Sequence, residues 1–566
     1  MGLTYSTLRP IVTNPHDWVL GKILELRAHT HGDKPFLQYM EEPPVTFAEV
    51  NRIVNRVAHG LAALGVRKGD RVLLMLPNCL EYLYVWWAAN KLGAIEVPVN
   101  NAYKGYFLEH VANNSGAKVM VVDQSLLDRV RFSEERLQHL EHVVVYRGAE
   151  GAAEAVSLRR LRTSAIEQLY SSENSTPDVD VRHHDLSAIM YTSGTTGPSK
   201  GVMMPHAQCH FFSEEDVSVV RLTEADVYYT CNPFFHANAQ LLTIYPCLIA
   251  GASAVIYPYF SASEWLQQVR KCRATVANFL GVMMDFVYRQ PARPDDADND
   301  LRVLFAAPTP PTIVEDFKRR FGVEATVEAY GMTEICLPVL LPYGEYRPGA
   351  AGKVVGDWFE VKLVDSQTDE ELPLGQIGEV VVRHKQPRML NAGYFGMPDK
   401  TAEAYRNLWF HTGDALRLDE DGFFYFVDRV KDALRRRGEN ISSYEVEAVI
   451  NDHPAVAESA VIAVKSEVPG GEDEVKACLV LRERSKLSPE DILRWCEERM
   501  PYFAVPRYVE FVAALPKTPN LKIQKHRLRE DGVTAGTWDR VKEGFRLEEE
   551  ILRQARKEAR KQPSQE

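Results

Sequence analysis

Residues 191–201 read Tyr-Thr-Ser-Gly-Thr-Thr-Gly-Pro-Ser-Lys-Gly. Few other runs constrain a chain so tightly. Glycines let a backbone approach an anion closely, and turn amides with Ser/Thr hydroxyls build concave anion nests. The apolar stretch Ser187–Tyr191 leads into it as a buried strand. The run therefore predicts a phosphate-gripping loop at the edge of a sheet, with Thr192, Ser193, Gly194, Thr195, Thr196, Gly197 and Lys200 as phosphate-binding candidates. It is not a Walker loop, because Ser199 precedes Lys200 where that motif requires glycine.

At 566 residues the chain is too long for one core, so at least two domains are expected. The formal charge of −12 gives no clustered basic face, which argues against a nucleic-acid partner. No apolar run reaches membrane-spanning length, and no signal peptide is visible. Met1–Ser6 fits the loose myristoylation pattern, and is read as coincidence. The eight cysteines show no metal spacing, so a reducing cytoplasm is the expected setting. Homodimers are the commonest closed assembly, but the oligomeric state is left open.

Thr46 to Leu64 carries Val50, Val54, Val57, Leu61 and Leu64 at helical spacing, with Thr46 and Glu49 as a capping box. A strand is expected at Arg71–Leu76, a helix at 82–92, and strands at 95–97 and 119–122. This alternation argues for parallel strands with helical crossovers. Residues 148–180 look like an irregular surface insertion. From Ile377 the pattern becomes β-rich, and a second unit is expected from Asp428. It has a helix at 443–451, strands at 457–464 and 475–481, and a helix at 488–499. Residues 536–562 read as a charged helix with Val541, Phe545, Leu552, Ala555 and Ala559 on one stripe.

Other strings carry chemistry. Glu328-Ala-Tyr-Gly-Met-Thr-Glu334 offers a ring to stack on a base, a hydroxyl for a phosphate and a hard oxygen for Mg²⁺. In His411-Thr-Gly-Asp414 the carboxylate suits two ribose hydroxyls. No Ser/His/Asp set has a persuasive context. These strings, with Asp428–Asp432, Pro516–Lys525, Phe234–Gln240 and Phe305–Pro308, resemble in kind and order the adenylate-forming superfamily of acyl-CoA synthetases, adenylation domains and luciferases. The resemblance spans about residues 15–530.

It implies a large N-terminal domain of α/β sheets with a β-rich subdomain (1–428), a small mobile α+β domain (429–530) and a charged tail (531–566). It further implies an AMP-forming carboxylate–CoA ligase that uses ATP, Mg²⁺ and coenzyme A. By the same resemblance Lys522, Thr333, Glu334 and His236 take catalytic roles, with Glu334 the metal ligand. Ala307, Tyr330, Gly331, Asp414, Phe426 and Arg429 face the nucleotide, and Gly438 lines a pantetheine channel. His236, Ala237, Asn238, Phe305, Ala306 and Cys336 face the acyl group, with Phe305 standing where relatives have a small residue. Lys431 is the hinge. The family has glycine before its catalytic lysine and this chain has Leu521, which puts that loop's geometry in question.

Phe423–Arg429 and Arg437–Ser442 resemble bacterial crotonobetaine/carnitine–CoA ligase-like proteins most. An amino-acid adenylating enzyme would need an acidic anchor in the Phe234–Gln240 segment, which has none. A non-catalytic nucleotide sensor would have lost Lys522, Glu334 or Asp414, and all three are present. The three acyl segments Phe234–Gln240, Phe305–Pro308 and Ile335–Pro338 contain no Asp or Glu, so a neutral acid is expected over a quaternary ammonium one. The identity of that acid stays open.

Overall fold

The computed structural model describes residues 8–148, 158–192, 198–311, 313–341, 343–429, 434–436, 439–441, 443–466, 473–483, 485–516, 523–548 and 550–551. The helix expected from residue 46 runs over Phe47–Ala63, with Thr46 as its cap accepting from the Glu49 amide at 3.2 Å. Its spaced valines and Leu61 are buried in the main core. They turn the helix against its neighbour Leu80–Lys91, whose sequence is apolar on every side and which is buried almost throughout.

Two sheets dominate, each of seven described strands. In the first, Arg71–Met75 lies between Ile95–Pro98 and Val119–Asp123, all parallel. At its edge Leu186–Thr192 folds back antiparallel on Lys200–Pro205, pairing Thr192 with Lys200. In the second, Val227–Thr230, Val276–Leu280, Val303–Ala307 and Ala325–Val327 run parallel. Parallel strands need crossovers, and the helices between them supply these while covering the sheet faces.

The chain then becomes β-rich earlier than expected, from Ala329–Met332 and Cys336–Leu340 onward. Phe359–Val364, Ile377–His384, Phe410–Leu418 and Phe424–Arg429 form an antiparallel sheet. Beyond it, Val456–Val464, Glu474–Leu481, Tyr508–Phe511 and Trp538–Asp539 form a further sheet. It packs on helices Ser443–Asn451 and Pro489–Arg499 around a separate hydrophobic core.

Two expectations are corrected. The stretch 148–180 is not wholly an insertion, because Arg162–Ala165 joins the first sheet and Ile166 and Leu169 are buried. The tail does not begin as a helix at 536. Trp538–Asp539 pairs with Tyr508–Val509, and the Asp539 carboxylate takes two hydrogen bonds from the buried Arg507, at 3.1 and 2.9 Å. Val541 is exposed, and Leu552, Ala555 and Ala559 lie outside the described residues. Among the described residues no helix is long and apolar enough to cross a membrane.

Candidate active site at the sheet ends

In open α/β sheets, ligands bind beyond the carboxyl ends of the strands. The segments singled out in the sequence stand there. Val227–Thr230 leads to Phe234–Gln240, Val303–Ala307 ends at Ala307, and Ala325–Val327 leads to Glu328–Glu334. Register sets Asn278 beside Phe305, Phe279 beside Ala306 and Leu280 beside Ala307.

On one side the Tyr330 hydroxyl donates to Asp414 Oδ2 at 3.0 Å, joining residues 84 apart in sequence. Asp414 sits opposite Arg429 in the antiparallel sheet. Its turn is fixed from beneath by Glu379, which accepts from the Gly413 amide (3.0 Å) and Arg406 (3.0 Å) and contacts His411 Nδ1 at 3.2 Å. Burial pushes the Glu379 carboxyl up, but His411, Arg406 and the Gly413 amide outweigh it and hold the group below its usual range. Gly331 is obligatory on packing grounds, because a Cβ there would lie 2.0 Å from the Cys336 carbonyl oxygen. Phe426 lies exposed on the same sheet.

On the other side Glu334 is buried. Its Oε1 accepts from Thr192 Oγ1 at 3.3 Å and from the Tyr394 hydroxyl at 3.1 Å. Its Oε2 is buried with no hydrogen-bond partner among the described residues. The Thr333 and Glu334 carbonyls accept from Gln208 Nε2 at 2.9 and 3.3 Å, and Asn391 Nδ2 donates to the Glu334 carbonyl at 2.9 Å. Lys200 Nζ lies 4.2 Å from the Tyr394 ring centroid. Thr192, Lys200, Thr333 and Glu334, distant in sequence, are thus one cluster.

In the acyl segment, His236 is half-buried against Phe235 and precedes the helical turn Ala237–Ala239, with Ala237 also half-buried. Asn238 accepts from Asn232 at 2.8 Å and donates to Asn278 at 3.3 Å. A π-turn at Gln240–Ile244 follows, a form that recurs at functional sites. Gln240 Nε2 donates to the Phe234 carbonyl (2.6 Å) and to Glu96 Oε1 (2.8 Å), which also accepts from the Tyr82 hydroxyl (2.9 Å). Burial pushes the Glu96 carboxyl up to about 8, so it stands mostly protonated at neutral pH. Glu215 behaves alike: it is fully buried, raised by desolvation, and its Oε2 accepts from the Leu337 amide at 2.9 Å.

Phe305, Ala306 and Cys336, expected at the acyl group, are wholly enclosed. Phe305 packs into the main hydrophobic core, and Cys336 Sγ points to the Met389 carbonyl at 3.4 Å. Burial encloses these three side chains, while His236, Ala237, Asn238 and Ala307 are partly accessible. Ser193, Gly194, Thr195, Thr196, Gly197, Lys431, Gly438 and Lys522 lie outside the described residues, and Arg429 is described by its backbone alone.

The family profile described as AMP-binding enzyme matches residues 24–395, and that of the AMP-binding enzyme C-terminal domain matches residues 445–522. The chain belongs to the AMP-binding enzyme family. Within this family it is an AMP-forming acid–thiol ligase of the acyl-CoA synthetase group. It is 32% identical over 515 residues to the crotonobetaine/carnitine–CoA ligase of Salmonella agona (strain SL483), a match covering 89% of this chain and 97% of that protein. Among solved structures, a double mutant of the Bacillus subtilis o-succinylbenzoate CoA synthetase MenE, bound to its product analogue OSB-NCoA, aligns with TM-score 0.75 and 26% identity. That alignment covers 91% of this chain and 99% of the other. The anthranilate CoA ligase AuaEII in complex with anthranoyl-AMP aligns with TM-score 0.66 and 26% identity, covering 94% and 98%.

For this member of the AMP-binding enzyme family, sequence reasoning missed Glu379 beneath the Asp414 turn, Tyr394 and Asn391 around Glu334, and Glu96 behind Gln240. None sits in a motif, and each acts on a partner at least 27 residues away. A buried acid inside an apolar strand, as in Ile95-Glu96-Val97, was the one signal available.

Proposed function

We propose that this ligase couples a neutral carboxylic acid to coenzyme A at the ends of the second parallel sheet, using ATP. The observation that carries the site assignment is the convergence of the Tyr330–Asp414 pair with the Glu334–Thr192–Lys200 cluster. A carboxylate resists thiol attack because its leaving group would be oxide. Joining it to AMP gives a good leaving group.

Tyr330 and Asp414 hold adenine and ribose, while Thr192, Lys200 and Thr333 receive the phosphates. The charge developing at the α-phosphate needs cations placed in advance. Lys522 supplies one. Glu334 Oε2, buried and unpartnered among the described residues, is the hard oxygen that would hold Mg²⁺. When bound, the ion neutralises phosphate charge. His236 gates the carboxylate, Asn238 orients it, and Lys431 is the hinge about which the small domain (429–530) turns. In the second arrangement Gly438 faces the pantetheine arm. The described arrangement, with Glu445 of the small domain on the Ser199 amide at the exit of the phosphate loop, is read as the thioester-forming one. A cytoplasmic location suits these small-molecule substrates.

Carboxylate-dependent ATP–pyrophosphate exchange, followed by CoA-thiol consumption, tests the function across a panel of acids. Exchange without thiol consumption for every acid would reassign the chain to adenylation alone. Asp414→Ala is expected to raise KM for ATP by about 10–100-fold, because hydrogen bonds to a charged group contribute about 1.5–3 kcal/mol. An unchanged KM would remove Asp414 from the ribose site.

Glu96, which accepts from Gln240, and Glu215, which accepts from the Leu337 amide, are both shifted upward by burial, so neither offers a stable anion to a quaternary ammonium. The expected order of kcat/KM is therefore uncharged acids above crotonobetaine of similar size. A preference for the betaine would show the pocket reading to be wrong.

A further inference from the structure

Helix Ser443–Asn451 brings a carboxylate of the small domain onto the exit of the phosphate loop. The Ser199 amide donates to Glu445 Oε1 at 2.8 Å, across 246 residues of sequence, and both residues are buried. Ser199 immediately precedes Lys200. Its carbonyl is held from the other side by His110 Nε2 at 2.8 Å, on helix Tyr106–Ser115. One peptide unit on each side of Ser199 is thus clamped, by the large domain through His110 and by the small domain through Glu445.

The surrounding interface is close-fitting. Phe107 belongs to the small domain's hydrophobic core, and a Cβ on Gly105 would lie 2.9 Å from the Arg499 carbonyl oxygen. The same helix turn holds the lysine-motif segment, with Lys525 Nζ 2.8 Å from Ser443 Oγ and 2.6 Å from Glu447 Oε1. Glu445 takes no part in the nucleotide, metal or acyl clusters described above.

We propose that Glu445 is a positioning residue, a latch that ties the phosphate-loop exit to the small domain in the thioester-forming arrangement and must release Ser199 before the domain turns back for adenylation. This rests on the domain-alternating ligase reading given above. A burial-raised carboxyl, here lifted to about 7, accepts from an amide whether or not it is protonated, and a glutamine carbonyl does the same. Alanine leaves the buried Ser199 amide without its acceptor, a costly vacancy.

The experiment uses the full chain as wild type, Glu445→Ala, Glu445→Gln and Glu445→Asp. Hydrogen exchange of the peptide carrying Ser199, measured without substrate, is expected to speed up at least about tenfold in Glu445→Ala and to stay near wild type in Glu445→Gln. Adenylate formation by quench-flow is expected to stay within about twofold in Glu445→Ala. CoA-dependent discharge of preformed acyl-AMP is expected to slow at least about tenfold, and Glu445→Gln to restore it. Glu445→Asp, which withdraws the acceptor by one methylene, is expected to show the same selective loss and serves where alanine fails to fold.

An equal fall in both half-reactions, unchanged exchange in Glu445→Ala, or a glutamine variant as slow as alanine would each overturn the latch. Failure of the ligase reading is distinguishable: wild type would then form no thioester, while the exchange difference would persist.

Discussion

Lys522→Ala is expected to abolish acyl-adenylate formation while leaving thioester formation from synthetic acyl-AMP largely intact. The lysine meets phosphate charge only while that charge develops, in the first half-reaction. Removing one preorganised charge donor of this kind costs about 100–1000-fold in rate. Pyrophosphate exchange and CoA-dependent discharge, measured separately, check the split. An equal loss in both would remove Lys522 from the α-phosphate.

Lys431→Pro is expected to produce the opposite pattern. Proline fixes φ near −65° and deletes an N–H. A pivot residue must change its backbone angles between two arrangements, so a pivot locked in one of them serves one half-reaction only. The adenylate should form at close to the wild-type rate, accumulate to about one equivalent per chain and wait. Quench-flow with labelled ATP reads this directly. Normal turnover, or no accumulation, would move the hinge elsewhere in the boundary segment. The two variants together form a pair of opposite lesions, and mixing them should not restore turnover unless the adenylate leaves one chain for another.

Much of the fold was legible wherever local pattern and tertiary demand agreed. Helix Phe47–Ala63 follows its valine spacing, and strands Arg71–Met75 and Glu474–Leu481 follow their apolar runs. Residues 536–551 were misread because the stripe Val541–Phe545 has helical spacing only on paper. Pairing of Trp538 with Val509, and the ion pair between Arg507 and Asp539, captured its start for a sheet. At the candidate site, Tyr330, Glu334 and Asp414 could be picked out as candidates from the sequence, because each sits in a compact motif. The residues that hold them could not. Glu96 reaches Gln240 across 144 positions and Tyr394 reaches Glu334 across 60, and no local spacing announces such a contact. The enclosure of Phe305 was equally hidden, because a strand in a parallel sheet with both faces covered gives no alternation to show which face a side chain takes.

Tyr394 stands between two opposite charges. Its ring lies under the Lys200 ammonium at 4.2 Å, and its hydroxyl reaches the Glu334 carboxylate at 3.1 Å. One side chain thus touches both groups that the proposed function assigns to the phosphates and the metal. It gives the ammonium a π-face and Glu334 Oε1 a hydroxyl, while Glu334 Oε2 keeps no hydrogen-bond partner among the described residues. On the proposed reading, the placement of these two groups is set when the chain folds, not when the nucleotide binds, and the reaction is spared that reorganisation.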